Sequence, residues 1–123
     1  MTKAELAVEY KHNGHNCAQS VLLAYKEELK KSEAELDAIG SGFGSGMGGM
    51  EATCGALIGA VMVKGMLNNT DSLTKLIAKE MLQGFKETCG AIACCDLKGV
   101  GTGKVLCACD DCIRNAIGEL EKQ

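Results

Sequence analysis

Residues 40–67 read GSGFGSGMGGMEATCGALIGAVMVKGML, a glycine-serine loop running into an apolar helix that the rest of the chain has to accommodate. In the loop only Phe43, Met47 and Met50 interrupt the small residues. Beyond it Ala52, Ala56, Leu57, Ile58, Ala60, Val61, Met62, Val63, Met66 and Leu67 leave no polar face. A helix apolar on every side belongs in the middle of a bundle. The run is too short to cross a bilayer, and Glu51 and Lys64 bracket it, so no membrane insertion is expected. Cys54 stands where loop becomes helix. In the first turn of a helix, unpaired N–H groups and the positive end of the dipole favour thiolate. Gly55, Ala56, Gly59 and Ala60 form a stripe of small residues along which another backbone can come close, and Gly55, next to the sulfur, is a candidate cofactor contact. The expectation is a helix that delivers a reactive or metal-binding sulfur into a buried site.

Composition sets the frame for this reading. At 123 residues the chain suits one domain, 1–123, with a real core. It has no proline and few aromatic residues, while Ala, Leu, Glu and Lys abound, which favours helix over strand. A net charge of −3 argues against a nucleic-acid partner, which needs a basic surface, and scarce aromatics remove the usual base-stacking platform. The amino terminus, MTKAELAVEY, has no continuous apolar region of the signal-peptide kind, so the cytoplasm is the expected location. Thiols are kept reduced there, and eight cysteines then point to metal binding or redox chemistry rather than structural disulfides.

Thr2 and Glu5 have capping-box spacing and open a first helix carrying Leu6 and Tyr10, which His12-Asn13-Gly14 breaks. A second helix is predicted from about His15 to Lys30, with Cys17 in its first turn and Asn13 or Asn16 as cap. Ser32 and Glu35 open a brief third helix ending near Ile39. After the central helix, Asn68-Asn69-Thr70 reads as a stop and restart, and Leu73, Leu76, Ile77, Met81 and Phe85 mark an amphipathic helix to about Thr88. Residues 89–103 are irregular and glycine-rich, and a last helix carries Ile113, Ala116, Ile117 and Leu120 inward. No window alternates like a strand. The expected fold is all-α, a compact bundle of five to six helices around a central apolar helix.

Cys17 and Cys54 fall at predicted helix starts, and a cap at Asp110 or Asp111 places Cys112 in the last helix's first turn with Cys109 just outside. Sulfurs at helix amino termini suit stored negative charge. Cys89, Cys94 and Cys95 lie in the glycine-containing segment, where the backbone can bend round a ligand. Taken singly, any of these cysteines reads as a small buried hydrophobe, but eight together do not. Cys109-Asp-Asp-Cys112 is one CxxC, usable as metal knuckle or dithiol, without the βαβ context of a thioredoxin and without a second paired motif for zinc. The Cys89 to Cys94 spacing opens like a plant-type ferredoxin run but lacks its next step. The glycines of residues 42–46 follow no strand and precede no Walker lysine, so they are read as letting the loop pass close to a helix or cofactor rather than as a nucleotide site. His12 and His15 lie near Cys17 beside a helix break and are read as solvated caps.

The segment GFGSGMGGMEATCGALIGAVMVKGM resembles the signature of the C-GCAxxG-C-C family of redox-active proteins, with Cys54-Gly55-Ala56-Leu57-Ile58-Gly59 fitting its CGAxxG motif in full. Asn16-Cys17-Ala18-Gln19-Ser20-Val21 is similar to that family's first cysteine block, and Cys94-Cys95-Asp96-Leu97-Lys98-Gly99 to its C-x-x-L-x-G block, selecting Cys94 over Cys95. The fourth block fits either Cys109 or Cys112 ahead of Ile113-Arg-Asn-Ala116. The resemblance implies a small helical protein of bacteria or archaea, often anaerobic, whose four shared cysteines are redox-active through an iron–sulfur centre. The four further cysteines of this chain leave the fourth ligand open and keep disulfide chemistry in view.

The expectation is therefore a redox or electron-transfer protein in which Cys17, Cys54, Cys94 and one of Cys109 or Cys112 ligate an iron–sulfur cluster and serve an unidentified redox partner protein. A thiol–disulfide oxidoreductase or sensor using Cys109/Cys112 or Cys94/Cys95 is one alternative, and a helical domain with structural zinc is another. No acid–base pair for hydrolysis or group transfer can be placed. The apolar content, high for so small a chain, leaves room for a homodimer.

Overall fold

A computed structural model of the chain describes residues 1–68 and 71–123. Its helices are α1 (Lys3–His12), α2 (Cys17–Ala24), α3 (Lys26–Leu29), α4 (Glu33–Gly40), α5 (Gly55–Asn68), α6 (Asp71–Cys89), α7 (Cys94–Lys98) and α8 (Cys109–Glu121), with a wide turn over Gly46–Met50 between α4 and α5. There is no strand among the described residues, only a single antiparallel bridge between Thr53 and Ala93. The all-α expectation holds, and six of the helices have eight residues or more. None of the described helices is long and apolar enough to cross a membrane. The stop and restart expected at 68–70 falls partly outside the described residues.

Three helix starts are set by capping boxes, two of them expected from the sequence and the third settling the choice between Asn13 and Asn16 in favour of Asn16. Thr2, Asn16 and Ser32 each accept a hydrogen bond from the N–H three residues on, and Glu5, Gln19 and Glu35 reach back to the cap's own N–H. Each such box satisfies two helix-end donors, and losing one cap costs about 1 kcal/mol. The predicted helix from His15 to Lys30 is two pieces: α2 ends at Ala24, Tyr25 leaves helical geometry, and α3 adds one turn. Lys3 makes the break tolerable, because its Nζ donates to the Ala24 carbonyl at 3.1 Å, pairs with Glu28 at 2.6 Å and lies 5.2 Å from the centre of the Tyr25 ring.

Helices α2, α5 and α8 pack against one another and form the middle of the bundle, with α1 and α4 outside α2 and α6 against α5 and α8. The small-residue stripe on α5 is what lets α2 approach: a Cβ on Gly59 would stand 2.9 Å from the Ala18 carbonyl oxygen and 3.3 Å from Val21. The buried side chains form one continuous cluster in which Leu22, Leu23, Leu57, Met81, Phe85, Ile113 and Ile117 are enclosed. Each such side chain contributes about 1.5–3 kcal/mol by leaving water.

The expectation that α5 is covered on every side needs correction. Gly55, Ala56, Leu57, Gly59, Ala60 and Val63 are buried, but Ile58, Val61, Met62 and Met66 are only half-buried and Leu67 is exposed. The reason is a cleft of about 450 Å³ between α5 and α6, walled by Met47, Ile58, Val61, Met62, Ala78 and Leu82. Leu73 and Leu76, among the residues that mark α6 as amphipathic in the sequence, are also exposed.

Candidate functional site

The three central helices each begin at or immediately after a cysteine, and those starts lie at the same end of the bundle. Cys17 is the first residue of α2, held there by the Asn16 cap. The Asn16 amide also donates to the Gly40 carbonyl at 3.1 Å, and Gln19 Nε2 to the Asp37 carbonyl at 2.9 Å, tying this helix start to the end of α4. Cys54 immediately precedes α5 rather than lying in its first turn. Its sulfur takes the capping role, accepting from the N–H groups of Ala56 and Leu57. Cys109 is the first residue of α8, so it is inside the helix and not just outside it as expected; neither Asp110 nor Asp111 caps, and Ala108 occupies that place without a side-chain bond. Cys94 likewise opens a helix, the short α7, where an irregular loop was anticipated.

A backbone device brings the second and third of these segments together. Cys54 N–H donates to the Ile92 carbonyl at 2.7 Å and Cys94 N–H to the Ala52 carbonyl at 2.9 Å, across the Thr53–Ala93 bridge. The glycine loop then folds over the pair. Gly46 has φ of +58° and lies so close to Cys94 that a Cβ would come 2.7 Å from the Cys94 Cβ, so only glycine fits there.

The four sulfurs of Cys17, Cys54, Cys94 and Cys109 line one cavity of about 120 Å³, together with Gly55, Lys11, Asn16, Ser45, Met50 and Lys98. Cys54 and Cys94 are almost fully buried, whereas Cys17 and Cys109 are half-buried. Gly55 forms part of the wall and leaves no room for a side chain, since a Cβ would meet the Phe43 carbonyl at 2.6 Å. Cys112 does not line the cavity; it is fully buried one helical turn behind Cys109. His12 and His15 lie elsewhere, bonded to Asp110 at 2.7 Å and to Asp37 at 2.9 Å. Cys95 does not line the cavity, and its thiol lies 3.9 Å from the Asp96 carboxylate.

The thiols influence one another in pairs, Cys112 with Cys54 and Cys17 with Cys109, while the Cys112 thiol donates to the Cys107 carbonyl at 3.6 Å. The Cys112 hydrogen bond, helped by the N–H groups of Ala56 and Leu57 and by the Lys98 ammonium, outweighs burial and draws the Cys54 thiol down to about 6. The hydrogen bond from Cys17, with Lys98 and Lys11, draws Cys109 down to about 5. Their partners move the other way: Cys17 and Cys112 are pushed well up as donors to a neighbouring sulfur and by burial. Cys94 is raised by burial and by the Cys54 charge.

Lys98 is the residue that sequence reasoning missed. Its Nζ donates to Cys112 Sγ at 3.3 Å and to the Cys107 carbonyl at 3.0 Å. Burial alone would lower this ammonium, but the sulfurs of Cys112, Cys109 and Cys54 outweigh that and keep it charged. One signal was available: Lys98 follows Cys94 by four residues, which on a helix is the same face.

The donor chemistry fits a sulfur-ligated group. All four side chains are thiols, two already favour thiolate, two lysines line the space, and the amino termini of α2, α5 and α8 add positive potential. The sulfurs surround a space rather than a point. Among the described residues, no three Cys, His, Asp or Glu side chains stand at the spacing that holds a single ion. A family model described as "Putative redox-active protein (C_GCAxxG_C_C)" matches residues 15–123. No curated protein and no solved structure matches the chain.

Proposed function

The chain belongs to the C_GCAxxG_C_C family of redox-active proteins, and from that premise we propose that it is an electron-transfer protein whose Cys17, Cys54, Cys94 and Cys109 hold an iron–sulfur cluster. The observation that carries this reading is the convergence of four thiols from four helix starts on one cavity. Such a group supplies one-electron transfer without making or breaking bonds in the polypeptide. The chain's own residues provide the rest. Cys109 is favoured over Cys112 as fourth ligand because it faces the cavity. Cys112 serves behind it, beside the Cys54 sulfur; turned from the Cys107 carbonyl to that sulfur, its thiol would stabilise the more negative state, as hydrogen bonds to ligating sulfur do. Lys98 and Lys11 offset charge from opposite elements, α7 and α1. The glycine loop, through Ser45 and Met50, limits access of water. Cys17 and Cys109, the less buried sulfurs, mark where a redox partner protein would approach. Protein isolated without oxygen is expected to carry iron and acid-labile sulfide with a visible charge-transfer band; colourless, iron-free protein would count against the reading.

A thiol–disulfide function is the second reading; the mutual influence of Cys54 with Cys112 and of Cys17 with Cys109 favours those pairs over the Cys109/Cys112 and Cys94/Cys95 pairs expected from the sequence. It expects no iron and reversible loss of those thiols on mild oxidation. Structural zinc is a third reading, and metal analysis separates it from the first, since zinc has no redox state.

A further inference from the structure

A third pair of sulfurs lies outside the cavity, and neither the family motifs nor the proposed electron-transfer site uses it. Cys89 closes α6 and Cys107 lies in the segment leading into α8; their sulfurs are 3.5 Å apart. Both residues are nearly enclosed, at 4% and 7% exposure. The amide of Asn115, from α8, donates to both, at 3.3 Å to Cys89 and 3.8 Å to Cys107. A polar side chain aimed between two sulfurs holds them as a pair, which packing of two small hydrophobes does not require.

We propose that Cys89 and Cys107 are a second redox site, a dithiol that closes reversibly to a disulfide when hydrogen peroxide oxidises it. One sulfur attacks the peroxide O–O bond: an S–O bond forms, the O–O bond breaks, and the departing oxygen leaves as water. The second sulfur then attacks the sulfenic sulfur, the S–S bond forms, and the S–O oxygen leaves as a second water. In sum two thiols give up two electrons and two protons, and the peroxide becomes two waters. Closure brings the sulfurs from 3.5 Å to bonding distance, about 2.0 Å. The chain ahead of Cys107 can yield by that amount, since Gly101, Gly103, Val105 and Leu106 are all exposed. The Cys107 carbonyl links the pair to the cavity residue Lys98, from which it accepts at 3.0 Å, and it accepts from Cys112 at 3.6 Å as well. The proposal does not depend on what the cavity holds.

The test is peptide mapping of the full-length protein, as isolated, after limiting hydrogen peroxide and maleimide blocking of the remaining thiols. A tryptic link between residues 87–98 and 105–114 is expected, with fragmentation placing it at Cys89 and Cys107 and dithiothreitol removing it. The link should be lost in Cys107→Ser and kept in Cys95→Ser. Recovery of Cys89 and Cys107 as maleimide adducts while other thiols oxidise, or a link that maps to Cys94, Cys95, Cys109 or Cys112 instead, would overturn the proposal. Should Cys107→Ser fail to fold, the wild-type map decides by itself.

Discussion

The Lys98 ammonium sits 3.3 Å from the Cys112 sulfur, and its charge also helps draw down Cys54, which is nearly buried at the start of α5. A hydrogen bond to a charged group is worth about 1.5–3 kcal/mol, somewhat less at a half-buried site such as this. Lys98→Gln is therefore expected to raise the midpoint of the most reactive thiols by about one pH unit in the metal-free protein. The check is the pH dependence of iodoacetamide labelling at Cys54 and Cys109. An unchanged midpoint would show that the sulfurs and helix starts hold the charge without the lysine.

The same shifts fix how stability depends on pH in metal-free, reduced protein. Cys54 and Cys109 are lowered to about 6 and about 5. The folded chain thus binds fewer protons there than the unfolded one, and this stability is lost as pH falls through those values. Cys17 and Cys112 are raised, so their contribution is full below the ordinary thiol value of 9.0 and lost above it. Thermal midpoints should peak near that ordinary value and decline on both sides. In Cys54→Ala the acid-side decline should be shallower, and an identical profile in the two proteins would contradict the assignment.

Gly59 and Gly118 separate close approach from helix propensity. At Gly59 a Cβ would press on the Ala18 backbone, while nothing lies within 4 Å of one at Gly118. Gly59→Ala is expected to destabilise by about 1–3 kcal/mol through overpacking between α2 and α5. Gly118→Ala should stabilise by about 0.5–1 kcal/mol. Urea unfolding curves measure both, and equal effects at the two sites would argue against a tight α2–α5 contact.

Asn16→Ala removes the cap of α2 and its bond to the Gly40 carbonyl together. The expected loss is about 1–2 kcal/mol, with faster hydrogen exchange at the N–H groups of the first turn. Since Asn16 also lines the cavity, Cys17 should become more reactive to alkylation. Unaltered exchange in that turn would show the cap to be dispensable.

Much of this was legible in the letters. The capping boxes at Thr2 and Ser32, the small-residue stripe on α5 and the placing of Cys17 and Cys54 at helix starts follow from local rules, whereas the choice of Asn16 over Asn13 as cap and the helix that opens at Cys94 did not show in the sequence. What was not legible depended on contacts far apart in the chain. The bridge that sets Cys54 beside Cys94 joins segments with no strand pattern, and only the folded chain shows that Cys109 faces the cavity while Cys112 faces Cys54. The half-open side of α5 was hidden for the opposite reason: an apolar sequence signals burial even where the cleft beside α6 leaves it uncovered.

The central claim is that sulfurs from four helix starts close round one iron–sulfur cluster. X-ray absorption at the iron edge of protein isolated without oxygen addresses it directly. The account expects an all-sulfur shell with iron–iron scattering, lost in Cys54→Ser and in Cys109→Ser and retained in Cys95→Ser and in Cys112→Ser. Iron absent from pure folded protein, or bound through nitrogen and oxygen, or unaffected by loss of Cys54, would contradict it.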